Sequence, residues 1–327
     1  MHEVLVIGGG PAGLTAAMFC RMRKMSVLVL DAGRLGGQLV SLYGDKPVHD
    51  WPGYAHIIAG DLAQHLIDHA REIGVEMTGN RKVLDMKPLE GGGFELATHD
   101  PTTSTDHAYS AQTVIVAIGG GAFEPRKLKV AGEETLDESA LTYRLVDKAR
   151  VPGKRVVVIG GGDSGLESAQ TAHQAGAKVT LVQALDRFTG METNIDQVNQ
   201  MEIPRHFNSR VKALEVEDGV LRAVIIQTKG APEPVGLECD YLVVNIGAAV
   251  NLDAIKRWGI ATEGNQITVN PHMHTSLEGV FACGDIATFD GKYKLLLTAS
   301  GEGCVAAQSA YVYVRKPQRV TMGELYT

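Results

Sequence analysis

The chain opens on an uninterrupted apolar run, "VLVI" at residues 4–7, followed by three glycines and a segment whose apolar residues recur at helical spacing up to Met22. A short continuous apolar run bounded by turn residues reads as a strand buried on both faces, and the 3.6-residue period after it as a helix. A second buried strand, "SVLVLD", follows at 26–31. The same succession returns halfway along, as "KRVVVIGGGDSGLESAQTAHQAG" at 154–176 and "AKVTLV" at 177–182. Strands alternating with helices predict parallel, doubly wound sheets, and the repeat predicts two of them. The expected fold is therefore α/β, with two doubly wound, Rossmann-like nucleotide-binding domains.

The glycines give the turns a chemical purpose. Gly8, Gly10 and Gly13 follow G-x-G-x-x-G. In that spacing the first glycine permits a tight turn, the second lets a pyrophosphate approach the backbone, and the third lets helix pack on strand. The helix start then offers unpaired N–H groups to the anion. Asp31 ends the next strand, at the distance where an acid meets ribose hydroxyls. The second copy supplies Gly160, Gly162 and Gly165, with Asp163 and Ser164 entering the helix. Gln183 stands at the same interval from Gly160 as Asp31 does from Gly8.

A third segment, "TSLEGVFACGDIA" at 275–287, predicts a short strand that delivers Gly284 and Asp285. Its carboxylate is suited to accept a hydrogen bond from a polyol chain. A flavin dinucleotide carries such a ribityl chain beside its pyrophosphate and a nicotinamide dinucleotide does not. The expectation is FAD on the first unit and a nicotinamide dinucleotide on the second.

Composition narrows the setting. The 327 residues, 44% hydrophobic and 21% charged, suit a soluble globular chain of two domains. No apolar run approaches the roughly 18 residues that span a bilayer. The N-terminus carries no export signal, so a cytoplasmic location is expected and a membrane partner is not. A net charge of -7 gives no general attraction to nucleic acid. Cys20, Cys239, Cys283 and Cys304 are scattered, without C-x-x-C or metal-site spacing, and read as buried thiols. Cys304, in "SGEGCVAAQ", reads as the end of a loop entering a helix, where the dipole would lower a thiol pKa. His272 and His274 would share one face of a strand without a third ligand, so no metal site is expected.

These motifs resemble those of the thioredoxin-reductase-like flavoproteins and, within them, the type 2 ferredoxin (or flavodoxin)-NADP+ reductases. The resemblance rests also on "GGQL" at 36–39 with Tyr43 after it, "GAFEPRKL" at 121–128, "NLDAIKRWGI" at 251–260 and "GKYKLLLTASGEG" at 291–303. It implies that Gly37 and Gln38 meet the flavin, that Tyr43 stacks on the isoalloxazine, and that Val83 and Phe123 lie beside the cofactor. Tyr326, near the end of "RVTMGELYT", would cover the other flavin face or belong to a frayed tail. The resemblance further implies a homodimer, with ferredoxin or flavodoxin as the protein electron carrier. The nicotinamide domain, residues 119–245, would be inserted into an FAD domain made of residues 1–118 and 246–327.

Two departures matter. Where thioredoxin reductases carry a C-x-x-C, "LTYRLVDKARVPGKR" at 141–155 has Arg144 and Asp147, so no dithiol relays electrons there. Where NADPH-using relatives carry arginines for the 2'-phosphate, this chain has Ala184, Leu185 and Thr189, with Gln183 before them. The Gln183 amide is chemically able to bond a ribose hydroxyl. Three outcomes stay open for NAD(P)H: weak or unselective binding, NADPH held by other basic residues such as Arg187, or a site that has lost the nucleotide.

Two basic stretches, Arg126, Lys127 and Lys129, then Arg144, Lys148, Arg150, Lys154 and Arg155, read either as a steering surface for an acidic carrier or as solvated surface. The expected activity is FAD-dependent electron transfer between NAD(P)H and a one-electron carrier. The alternatives are a nicotinamide-independent flavoprotein fed by ferredoxin and a non-enzymatic redox sensor.

Overall fold

The computed structural model describes residues 1–120, 124–143, 147–249 and 251–316. The chain forms two units, one of Met1–Phe123 with Val250–Thr327 and one of Glu124–Ala249.

Unit 1 begins with β1 (His2–Ile7), α1 (Pro11–Met22) and β2 (Val27–Leu30), followed by α2 (Ala59–Glu72) and β3 (Glu76–Thr78). Three longer strands follow: β4 (Lys82–Pro88), β5 (Phe94–Asp100) and β6 (Thr105–Val116). β1 lies between β2 and β6 in parallel register, with Val4 opposite Val27 and Thr113. The apolar run of β1 has the burial its pattern requires, since Val4, Leu5 and Val6 are fully enclosed. β6 has two roles along its length. Its first half pairs antiparallel with β5, and its second half pairs parallel with β1.

Unit 2 contains β7 (Arg155–Ile159), α3 (Asp163–Gln174), β8 (Lys178–Val182), α4 (Glu192–Asn199), β9 (Arg205–His206), and an antiparallel sheet of β10 (Ser209–Glu217), β11 (Val220–Thr228) and β12 (Val235–Glu238). β13 (Tyr241–Val244) then pairs with β7 in the five-stranded parallel sheet. Alternation along β7 explains its continuous apolar run. Val156 and Val158 enter one core cluster with Leu166 of α3, whereas Val157 and Ile159 enter a second with Val224 and Ile226 of β11.

The chain returns to unit 1 through β14 (Val280–Ala282), which pairs parallel with β6 and completes a seven-stranded sheet, and through α5 (Leu296–Arg315). α5 packs on α1 at small residues: a methyl group at Gly303 would sit 2.4 Å from the Ala12 carbonyl oxygen. Among the described residues no helix is long and apolar enough to cross a membrane.

The His-Met-His segment departs from the expected strand. His272 lies in a turn whose Asn270 side chain accepts the N–H groups of His272 and His274. Met273 takes a left-handed φ of 63° and buries its own side chain. His274 rests 4.9 Å from the Phe281 ring centroid, and its burial lowers its pKa.

At the end of β5, the Asp100 carboxylate accepts hydrogen bonds from the Thr102 hydroxyl, the Thr102 N–H at 2.8 Å and the Arg81 guanidinium. The Thr102 hydroxyl first, then the Thr102 N–H and Arg81, hold its pKa well below the ordinary carboxylate range. A carboxylate depressed on folding stabilises the fold at pH values above its unfolded pKa of about 3.9 and stops doing so as the pH falls toward its folded value. Wild type is therefore expected to exceed Asp100→Asn in urea stability at neutral pH. That advantage should shrink as the pH drops below about 4. A difference that stays constant between neutral and strongly acid pH would contradict this account.

Candidate active site

The turn between β1 and α1 is shaped by backbone that comes closer than any side chain allows. Gly8 takes a φ of 110°, and a methyl group there would stand 2.3 Å from the Ala117 carbonyl oxygen at the end of β6. A methyl at Gly13 would stand 1.9 Å from the Gly8 carbonyl oxygen. Gly10 is the N-cap of α1, with no side chain bonded over it and no acid in the first turn. The helix dipole and the first-turn N–H groups, of which Pro11 contributes none, are thus left without a side-chain partner, a setting suited to an anion.

Gly37 closes onto this opening from the next segment. It takes a φ of 58°, and a methyl there would meet the Gly10 Cα at 2.9 Å. Gln38, the following residue, lays its amide against Gly120, with Nε2 3.2 Å from where a methyl would be. Tyr43 is half-buried against the core of unit 1 and donates its main-chain N–H to the Gln38 carbonyl, while Lys46 lies 5.4 Å from its ring centroid. Gly284, with a φ of 76°, packs on the start of α1, where a methyl would meet Ala12 Cβ at 2.9 Å. Gly8, Gly10, Gly13, Gly37, Gln38 and Gly284 thus gather around one helix N-terminus, and Asp285 follows directly.

Asp31 ties the turn to its neighbour. One carboxylate oxygen accepts the Gly9 N–H at 2.6 Å and the other accepts the Gly33 N–H at 2.8 Å. Its main chain bonds Thr78 and Arg81, which places the start of β4, and hence Val83, along the same edge. Phe123, Arg144 and Tyr326 lie outside the described residues.

The second turn repeats the glycine contacts of the first. Gly160 takes a φ of 118°, a methyl there would stand 2.2 Å from the Asn245 carbonyl oxygen, and one at Gly165 would stand 2.1 Å from the Gly160 carbonyl oxygen. Gly162 is the N-cap of α3, again without a side chain over it. Two differences separate the copies. Asp163, the first helical residue, accepts the Met191 N–H at 2.7 Å and the Asn194 amide at 2.8 Å, so the loop before α4 is drawn against the helix start. Ser164 beside it is half-buried.

The other difference is at the end of β8. Gln183 is 7% exposed, and both ends of its amide are engaged within its own loop. Its oxygen accepts the Ala184 N–H at 3.0 Å and its nitrogen donates to the Arg187 carbonyl at 3.1 Å. Leu185 projects into solvent, and Arg187 pairs with Asp186 at 3.0 Å.

The cysteines supply no redox couple. All four are free thiols. Burial pushes Cys20 and Cys239 up to about 12, and moves Cys283 and Cys304 upward too. The expected activation of Cys304 fails for a structural reason. α5 begins at Leu296, so the thiol sits more than two turns inside the helix, beyond the reach of its N-terminal dipole.

One contact is not legible from its motif: both partners lie in the "GKYKLLLTASGEG" segment, but nothing in its spacing pairs them. Lys292 and Glu302 form an ion pair in unit 1, with side chains 7% and 9% exposed, against Gly284.

The model of the pyridine nucleotide-disulphide oxidoreductase family matches residues 2–303. The chain belongs to that family. As a member it is a flavin-dependent oxidoreductase. A protein of Shouchella clausii named ferredoxin--NADP reductase 2 is 35% identical, over 99% of this chain and 96% of its own. The protein of that name in Oceanobacillus iheyensis is 33% identical, over 98% of this chain and 96% of its own. Among solved structures, Lactococcus lactis thioredoxin reductase superposes with a TM-score of 0.86 at 27% identity, covering 97% of this chain and all of the other. The thioredoxin reductase of T. acidophilum gives 0.84 at 26% identity, over 95% of this chain and 97% of the other.

The first cradle of this family member fits FAD on its own geometry. Two glycines leave no room for a side chain, the helix start is uncapped, and the carboxylates of Asp31 and Asp285 lie on residues flanking it. At neutral pH, a thiol reagent is expected to modify half-buried Cys304 slowly and the other three cysteines only after unfolding. Rapid reaction of any thiol in the native protein, followed by mass spectrometry, would contradict the burial described.

Proposed function

We propose that the protein is a cytoplasmic, homodimeric FAD-dependent reductase that moves electrons between NAD(P)H and ferredoxin or flavodoxin. The observation that carries this reading is the pairing of two nucleotide cradles with four cysteines that are all free and raised in pKa. Without a dithiol, electrons have to leave through the flavin itself. The names of the relatives agree with that route.

Bound FAD supplies the exchange between two-electron and one-electron chemistry. The chain's own residues bind and orient. With FAD bound, the start of α1 at Gly10 would receive the pyrophosphate, Asp31 the ribose hydroxyls, Asp285 the ribityl chain and Gln38 the flavin, Tyr43 would supply the stacking ring, and Val83 would lie beside the cofactor. In unit 2 the turn Gly160–Gly165 and the start of α3 would receive the nicotinamide dinucleotide. No side-chain proton donor is required, because alignment governs the rate.

The basic clusters divide under this reading. Arg155 is taken up by Asp240 and Glu238, Arg150 by Asp147 and the Glu138 carbonyl, and Lys154 lies over the Tyr241 ring. Arg126, Lys127 and Lys129 are exposed and are the better candidates for steering an acidic carrier.

Anaerobic addition of NADPH or NADH is expected to bleach the bound flavin, and reduced carrier should form with a rate that falls as salt rises. A flavin spectrum unchanged by both nucleotides would overturn the proposal. Because residues 183–185 carry no guanidinium and Gln183 is occupied, kcat/KM for the two nucleotides should agree within about tenfold, and Leu185→Arg should favour NADPH by about tenfold more, the worth of one charge-assisted hydrogen bond. Stopped-flow reduction measures both.

A further inference from the structure

The Lys292–Glu302 pair lies apart from the nucleotide motifs in sequence yet converges on a single residue of the flavin segment. Glu302 Oε2 accepts the Gly284 N–H at 2.8 Å. Lys292 Nζ donates to the Gly284 carbonyl at 3.0 Å, to Glu302 Oε2 at 2.6 Å and to Glu302 Oε1. Both polar groups of one glycine are thereby held by two opposite, buried charges. Burial raises the Glu302 carboxyl, and the Lys292 ammonium opposes that rise.

Such a pair is a poor device for stability alone. Removing two charges from water costs several kcal/mol each, and apolar residues of similar volume often stabilise a fold as well or better. What the pair does secure is geometry. Gly284 is in the left-handed region, and a methyl there would meet Ala12 Cβ of α1 at 2.9 Å, so the position calls for glycine and its peptide is held by the pair rather than by a side chain of its own. The next residue is Asp285, whose main-chain carbonyl is held from the other side by Gln266 Nε2 at 3.1 Å. Its carboxylate, by contrast, has no hydrogen-bond partner among the described residues, although the residue is half-buried. A fixed main chain carrying an unpartnered, half-buried acceptor is the arrangement of a preorganised binding group. The positive charge of Lys292 also offsets Glu302, so Asp285 does not face an uncompensated second anion.

We propose that Lys292 and Glu302 are positioning residues of the cofactor site: their pair clamps the Gly284 peptide and so holds Asp285 ready to accept a hydroxyl of the flavin's polyol chain. This rests on the flavin reading above. The two residues act through Asp285 and touch no reacting atom.

The experiment is a double-mutant cycle read as FAD affinity of the apo-protein, by quenching of flavin fluorescence. Lys292→Met is expected to raise the FAD Kd at least tenfold. Asp285→Ala is expected to raise it similarly, and Lys292→Met placed in the Asp285→Ala background should add no further loss, because the lysine acts through the carboxylate. The double variant Lys292→Met/Glu302→Gln buries no charge and guards against misfolding. Its apo-protein should melt close to wild type while its FAD Kd remains at least tenfold higher. A wild-type Kd in either Lys292 variant, or losses that add fully with Asp285→Ala, would overturn the clamp. If wild-type apo-protein takes up no FAD, the flavin reading itself falls and the clamp with it.

Discussion

Everything in the two cradles depends on a contact between backbone and backbone. The Gly8 Cα rests on the carbonyl of Ala117, and Gly13 rests on the carbonyl of Gly8, with no space for a single added carbon. That contact aims the start of α1 at the point where the parallel strands end. Side chains elsewhere in unit 1 adjust to it: Asp31 bonds the Gly9 N–H, Gly37 closes on Gly10, and α5 needs a glycine at 303 to approach Ala12. A nucleotide site built this way is rigid because its walls are main chain, and main chain has few ways to move.

The duplicated turn repeats one steric arrangement beneath different side chains. Gly160 and Gly165 copy the steric arrangement of Gly8 and Gly13 within a few tenths of an ångström. The differences lie at the helix start, where Asp163 holds the loop before α4, and at the end of the second strand. In unit 1 an acid reaches across to the glycine turn, whereas in unit 2 an amide folds back on its own loop. The glycine cradle is retained, while both ends of the Gln183 amide are taken up within its own loop.

The sequence made legible what depends on local pattern. Continuous apolar strands, the G-x-G-x-x-G turns and the spacing to Asp31 follow from rules that act over a few residues. What it hid depends on distant packing. Gly301 and Gly303 read as a loop, yet both lie inside α5; Gly303 is needed there because the helix comes against the Ala12 carbonyl of α1, whereas Gly301 faces open space. That misreading carried Cys304 to the wrong place. The partnership of Lys292 with Glu302 has no periodic signature, and neither does the self-closure of Gln183 with Arg187. His272 and His274 alternate as a strand would, but Asn270 offers their N–H groups a side-chain acceptor and a turn forms instead.

β6 has a consequence for how the molecule is assembled. Its second half needs β14 beside it, and the whole of unit 2 is synthesised between the two. During translation the central sheet of unit 1 therefore emerges with an unpaired edge, while unit 2, contiguous in sequence, is free to condense on its own. Long separation between pairing strands slows closure through chain entropy, so the N-terminal nucleotide fold, though made first, is the last to be finished.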